Sequence, residues 1–373
     1  MKVVVAVDSF KGSMSSIEAG MAAREGILAA RPDADVIVKP LADGGEGTTD
    51  ALIDGLGGER VFLTVTGPVG KPVKAYYGYI KKSGTAVMEM AAAAGIALSG
   101  TTDPLHATTY GLGEMIRHAL SKGIRNFIIG IGGSATNDGG IGMLNALGFR
   151  FLEKNGRDAG RGAQALEKIS SIIPSEKAAL LSCCRFNIAC DVTNPLFGPQ
   201  GATYTYGPQK GISRQLIPII DNGMKNFARL TCEMCGKDFS QVPGSGAAGG
   251  LGFAFLSYLN GKLLPGIQLI LDAVHLEDEL KGADFLVTGE GRLDSQTAMG
   301  KAPAGAAKLA RKYHVTTIAF AGSIAEDAAV CNQAGIDAFF PIVRGVTSLS
   351  DAMEPCNARK NMVSSVEQVF RLL

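Results

Sequence analysis

Residues 126–140 read N-F-I-I-G-I-G-G-S-A-T-N-D-G-G, a pattern that few folds can accommodate. Phe127, Ile128, Ile129 and Ile131 form a short apolar run of the kind that becomes a buried strand. The chain then turns polar and glycine-rich at once. Gly132, Gly133, Gly139 and Gly140 let the main chain come close to a ligand, because no Cβ stands in the way. Ser134, Thr136, Asn137 and Asp138 add short hydrogen-bonding groups, and the spacing of Ile141, Leu144 and Leu147 predicts a helix behind them. Strand, glycine loop and helix N-terminus in this order suit an anion, since open backbone N–H groups and the helix dipole both favour negative charge. The segment predicts a phosphate-handling loop, with a ligand-free strand-to-helix turn as the alternative.

The flanking chain repeats a β/α rhythm. Residues 3–7 are an all-apolar strand of the type buried on both faces of a parallel sheet, ending in Asp8-Ser9-Phe10-Lys11-Gly12. Ser15-x-x-Glu18 is a capping box opening a helix. A second strand, residues 35–41, runs into Ala42-Asp43-Gly44-Gly45-Glu46-Gly47, and a third is expected at 60–66. From residue 283 the rhythm returns: Phe285-Leu286-Val287-Thr288 precedes Gly289-Glu290-Gly291-Arg292-Leu293-Asp294, and two more strands follow at 317–321 and 338–343. The first two and last three units predict a five-stranded doubly wound parallel sheet of flavodoxin- or Rossmann-like type, carrying a large inserted second α/β domain. The expected boundaries are 1–66 with 265–373 for the first domain and 67–264 for the insertion. A ligand cleft between two such domains is the expectation. Pro243-Gly244-Ser245-Gly246-Ala247-Ala248-Gly249-Gly250 is a second glycine loop, suited to close backbone packing or to lining a site.

Composition removes several function classes. Lys plus Arg number 36 against 35 for Asp plus Glu, so no overall field draws nucleic acid or an anionic membrane. Asp8 follows the first strand too soon for the core of a signal peptide, and no uncharged run approaches the roughly 18 residues of a membrane span. A cytoplasmic protein with a small-molecule partner is expected. Seven cysteines argue for reduced thiols, and Cys232-x-x-Cys235 lacks the second pair that a zinc site needs. No G-x-x-x-x-G-K-[ST] occurs, D-S-F-K-G stands where a dinucleotide fingerprint belongs, and no G-x-S-x-G joins a nucleophile to a histidine.

Carboxylates, cations and glycine loops at strand ends suit phosphoryl transfer, which needs positioning and charge neutralisation more than covalent catalysis. Mg²⁺ takes one or two carboxylates plus phosphate oxygens, a lysine neutralises charge, and a further carboxylate orients the acceptor hydroxyl.

The motifs Asp8-Ser9-Phe10-Lys11, residues 42–47, Glu89-Met90-Ala91-Ala92-Ala93, residues 129–140, Ala189-Cys190-Asp191-Val192-Thr193-Asn194-Pro195-Leu196, Gly207-Pro208-Gln209-Lys210-Gly211 and residues 288–297 together resemble the bacterial type 1 glycerate kinases. The resemblance spans the chain in order, departing at Gly12, where some members carry glutamate. It implies ATP-dependent, Mg²⁺-assisted phosphorylation of D-glycerate at the 2-hydroxyl. Phosphorylation at the 3-hydroxyl or of a related hydroxy acid, and a phosphometabolite sensor, are the alternatives. The chemistry suggests roles for individual residues. Gly132, Gly133, Ser134, Thr136, Asp138, Gly139 and Gly140 would cradle phosphates, with Lys11 neutralising charge. Arg292 would grip the glycerate carboxylate as a bidentate pair, with Asp8, Ser9 and Asn194 also facing substrate. Asp191 or Asp294 would orient the hydroxyl, and Asp43, Glu46 or Glu290 would hold the metal. Lys301 is a weaker phosphate candidate.

Overall fold

The computed structural model describes residues 1–98 and 103–373. Thirteen strands are formed among the described residues, of which the first six are β1 (Lys2–Val7), β2 (Asp35–Pro40), β3 (Glu59–Thr66), β4 (Pro72–Ile80), β5 (Thr85–Glu89) and β6 (Asn126–Gly130). The rest are β7 (Arg150–Leu152), β8 (Ser171–Ile173), β9 (Arg185–Ala189), β10 (Lys262–Leu264), β11 (Phe285–Leu293), β12 (Thr316–Ile324) and β13 (Ala338–Pro341). Two compact units result. The first comprises Met1–Asp43, Asp50–Gly57 and Ile267–Leu373, and the second Gly44–Thr49 and Gly58–Gly266.

The first unit is built on a five-stranded sheet in the order β13-β12-β11-β1-β2, with every pairing parallel. This is the expected doubly wound sheet, and strand alternation explains why it is covered twice. Val3, Val5, Val7, Ile318 and Phe320 face one way, into a core with Ala19, Ala23 and Ile27 of the helix Ser16–Ala30 and Met362, Val366 and Phe370 of the helix Pro355–Phe370. Ala319 and Ala321 face the other way, against Ala307 of the helix Ala302–Arg311 and Cys331 of Val330–Gln333. Each fully buried Ile or Phe contributes about 1.5–3 kcal/mol by leaving water. The capping box forms as its spacing predicts: Glu18 N–H donates to Ser15 Oγ at 3.3 Å, and Ser15 N–H to Glu18 Oε2 at 2.8 Å.

The second unit contains a six-stranded mixed sheet, β10-β9-β6-β5-β4-β3, and the small hairpin β7–β8. β5, β6, β9 and β10 run parallel, and β3 and β4 are added antiparallel. Here the expected boundary at residue 66 is corrected. β3 pairs with β4 from Glu59↔Tyr79 to Thr66↔Pro72 and so belongs to the second unit. The physical reason is local: only residues 67–71 separate the two strands, a connection that favours a hairpin, closed here by Gly67 N–H donating to Lys71 C=O at 2.7 Å. Residues 44–49 also fall in the second unit. Its core includes Phe127 of β6 stacked on Phe186 of β9, with ring centroids 4.8 Å apart.

All seven cysteines are free thiols. Among the described residues no helix is long and apolar enough to cross a membrane.

Candidate active site

In the first unit the chain leaves β1 for β2 on one side, then returns to add β11 on the other. Ligands of open α/β sheets bind beyond the strand C-termini at such a reversal. A cavity of about 450 Å³ lies there, lined by Asp8, Ser9 and Lys11 after β1, Asp43 after β2, and Glu290, Arg292 and Asp294 from β11 onward. Lys301 completes the polar wall, while Ile342, Val343, Leu349 and Met353 form an apolar one. β11 runs to Leu293, past the expected end at Thr288, because Arg292 and Leu293 continue the ladder opposite Ser323 and Ile324 of β12. Glu290 and Arg292 are thereby held on a strand and not on a loop.

The carboxylates in this wall are unequal. Asp8 is pinned by its own backbone, which donates to Gly289 C=O at 2.9 Å, and its Oδ1 accepts Ser9 N–H at 2.6 Å. Burial, helped by the nearby charges of Asp43 and Glu290, pushes its pKa up to about 7, against the pull of the Ser9 N–H and Lys11. Glu290 is also raised, by burial first, although its Oε1 accepts the Thr297 hydroxyl at 2.6 Å and Lys301 favours its charge. Asp294 caps the short helix Ser295–Ala298: its Oδ1 accepts Gln296 N–H at 3.0 Å and Thr297 N–H at 3.3 Å. Arg292 is exposed, and its Nε lies 3.8 Å from Asp294 Oδ2, a loose pair that leaves the guanidinium able to turn to a ligand.

In the second unit the glycine loop after β6 has two halves. Gly132 and Gly133 are exposed and Ser134 half-buried, whereas Thr136, Asn137, Asp138, Gly139 and Gly140 are buried. Asp138 Oδ2 accepts the N–H and the hydroxyl of Thr109, both at 2.9 Å, and Gly142 N–H at 3.2 Å, while its Oδ1 accepts Gly140 N–H at 3.0 Å. The N-terminus of the six-residue helix Ile141–Ala146 is therefore occupied by the chain's own carboxylate. Gly139 N–H donates to Gly249 C=O at 2.9 Å, so the second glycine loop packs on the first. Gly249 and Gly250 have φ of +68° and +92°, and a Cβ on Gly250 would stand 2.8 Å from Gly139 Cα. Lys210 is buried beneath the loop, its Nζ donating to Ser134 Oγ and to Thr136 C=O, each at 2.7 Å. Burial pushes its ammonium down to about 7, against the attraction of Asp138.

The model of the glycerate kinase family matches residues 3–373. The chain belongs to the glycerate kinase family. It is 46% identical over 356 residues to a glycerate kinase of Bacillus subtilis strain 168, covering 95% of this chain and 93% of that protein. It is 42% identical over 373 residues to the glycerate 2-kinase of Escherichia coli K12, covering 98% of each. A crystal structure described as that of glycerate kinase 2 from Salmonella typhimurium LT2 superposes with a TM-score of 0.91 at 42% identity, covering 100% of this chain and 98% of that one. Glycerate kinase activity goes with this membership.

Within this family member, the expected site residues divide into groups. Asp8, Ser9, Lys11, Asp43, Glu290, Arg292 and Asp294 line one cavity. Glu46 lies exposed on the loop of the second unit. Asp191 is exposed there, and its Oδ1 accepts Gly266 N–H at 2.9 Å. Asn194 holds its own loop: its Nδ2 donates to Gln200 C=O at 2.8 Å, and its Oδ1 accepts the Tyr206 hydroxyl at 2.6 Å. Of the residues expected to cradle phosphates, Gly132 and Gly133 are exposed and Ser134 half-buried, whereas Thr136, Asp138, Gly139 and Gly140 are packed into the core. Lys210 was legible only as part of a polar turn; nothing in Gly207-Pro208-Gln209-Lys210-Gly211 says that the side chain turns inward.

Proposed function

We propose that the protein transfers the terminal phosphoryl group of ATP to the 2-hydroxyl of D-glycerate, giving 2-phosphoglycerate and ADP in the cytoplasm. The observation that carries this reading is the cavity at the β1/β11 reversal, where a half-buried Asp8 shares the wall with Lys11, Arg292 and Lys301 in a space suited to a small hydroxy acid. Arg292 pairs with the glycerate carboxylate, and Ser9 adds a polar contact. Asp8 accepts the proton of the attacking hydroxyl, a task for which a carboxyl group titrating near neutrality is matched. Asp8 is preferred here to Asp294, which already serves as a helix cap. The regiochemistry follows the name of the Escherichia coli relative.

Mg²⁺ fits the donor set. Asp43 and Glu290 supply hard oxygens to the cavity, and Mg²⁺ needs only one or two carboxylates when phosphate and water complete its shell. Among the described residues no group of three or more His, Cys, Asp or Glu forms a complete cage. When bound with ATP, the ion would neutralise charge on the phosphate oxygens.

Residues 132–134 receive the phosphates through backbone N–H groups and the Ser134 hydroxyl. Gly132 provides a clean test. A Cβ there meets nothing within 4 Å, and its φ is not positive, so Gly132→Val folds normally and obstructs only an approaching ligand. Steady-state kinetics following D-glycerate-dependent ADP release are expected to show a KM for ATP raised about tenfold or more, equivalent to about 1.4 kcal/mol, with an unchanged melting temperature. An unaltered KM for ATP would remove the nucleotide from this turn. ADP release indifferent to D-glycerate would refute the kinase reading itself.

A further inference from the structure

The chain holds an expensive group under the exposed turn. An ammonium buried as deeply as Lys210, only 4% exposed, forfeits its hydration, and a methionine would fill the same space at lower cost. Its nearest counter-charge, Asp138, is already engaged by four donors. What the lysine does touch is the loop: Ser134 Oγ and Thr136 C=O, each at 2.7 Å. Thr136 Oγ1 and Asn137 Oδ1 beside it are buried without a hydrogen-bond partner, and Lys210 shares the polar support of this part of the loop with Asn137 Nδ2, which donates to Thr203 Oγ1 at 3.0 Å.

The direction of the first bond matters. The lysine ammonium can only donate, so with Lys210 charged Ser134 Oγ is the acceptor. A serine hydroxyl carries one hydrogen and otherwise rotates to suit its neighbours. With Lys210 donating to its oxygen, that hydrogen is left for another acceptor, and Ser134 is the half-buried neighbour of the exposed Gly132 and Gly133. An acceptor such as a phosphate oxygen is what this arrangement is prepared to meet.

We propose that Lys210 is a positioning residue for the nucleotide: from beneath the loop it holds the Ser134 hydroxyl as a donor toward the phosphate oxygens and fixes the turn through Thr136 C=O. This rests on the reading that residues 132–134 receive the phosphates. Because burial holds the ammonium near neutrality in its titration, an anion on the loop also favours the charged form, which strengthens the same bond.

The test is ATP binding by calorimetry, with steady-state kinetics, for Ser134→Ala, Lys210→Met, their combination and Lys210→Gln, each checked for folding by circular dichroism. Ser134→Ala and Lys210→Met are each expected to weaken ATP binding roughly 3–30-fold, with little change in the KM for glycerate. If Lys210 acts through Ser134, the double variant is no weaker than the worse single one. Lys210→Gln, which keeps an N–H donor, recovers part of the loss and carries the test should the methionine variant fail to fold. ATP affinity unchanged in Lys210→Gln and Lys210→Met, or losses that multiply in the double variant, would overturn the proposal. Gly132→Val separates the two levels: if it binds ATP normally the loop reading fails and this inference with it. If Gly132→Val is impaired while the lysine variants bind normally, this inference alone fails.

Discussion

Replacing Asp8 by asparagine is expected to lower kcat about 10²–10⁴-fold while making the metal-free protein more stable above pH 7. The two effects have one cause. The Asp8 pKa is about 7 in the folded chain against 3.8 ordinarily, chiefly through burial. Between those values the folded state retains a proton that the unfolded state has lost. Stability therefore falls as pH rises through about 4 to 7 and levels off beyond. Asparagine does not titrate, so the variant lacks this decline and gains about 1–3 kcal/mol at pH 8, in line with sites where function is kept at the expense of stability. Urea unfolding with EDTA present, at pH 5 and pH 8, reads the second effect. A variant inactive but no more stable at pH 8 would mean that Asp8 is ionised in the free protein and contacts substrate as a plain anion.

Asp138→Ala is expected to act in the opposite sense, on the fold and not first on catalysis. The carboxylate satisfies Thr109 N–H, the Thr109 hydroxyl, Gly140 N–H and Gly142 N–H in a fully buried site. Its removal leaves those donors unmet and withdraws the negative charge nearest Lys210. Breaking a buried charged network of this kind costs about 3–5 kcal/mol. Because the protein has no tryptophan, the loss is best read by circular dichroism in urea, as a lower midpoint. Wild-type stability with abolished ATP binding would restore Asp138 to the ligand-facing role that the sequence alone suggested.

The first unit was legible because its signals are local. Apolar runs such as residues 3–7 specify parallel strands, and Ser15-x-x-Glu18 forms its box between neighbours three residues apart in the chain. Polar groups just beyond such strands fall on one sheet edge, so Asp8, Asp43, Glu290 and Arg292 could be grouped before their contacts were visible. Asp294-x-x-Thr297 carries the same kind of capping signal as Ser15 and marks a structural role that a catalytic reading obscured. The glycine loop was harder for a physical reason. Absence of a Cβ serves a ligand and a neighbouring backbone equally well. Gly132 has open space around it, whereas a Cβ on Gly139 would lie 3.1 Å from the Phe227 ring, and nothing in residues 132–140 distinguishes the two. The inward turn of Lys210 depends on packing between segments more than seventy residues apart, beyond the reach of any local pattern.

The most direct test of the central claim is phosphorus NMR of the product formed from ATP, Mg²⁺ and D-glycerate by the purified protein. A resonance at the position of authentic 2-phosphoglycerate, absent with Asp8→Asn, is the predicted result. A 3-phosphoglycerate resonance would keep the kinase and contradict its regiochemistry, and ATP left intact in the presence of D-glycerate would contradict the proposed reaction altogether.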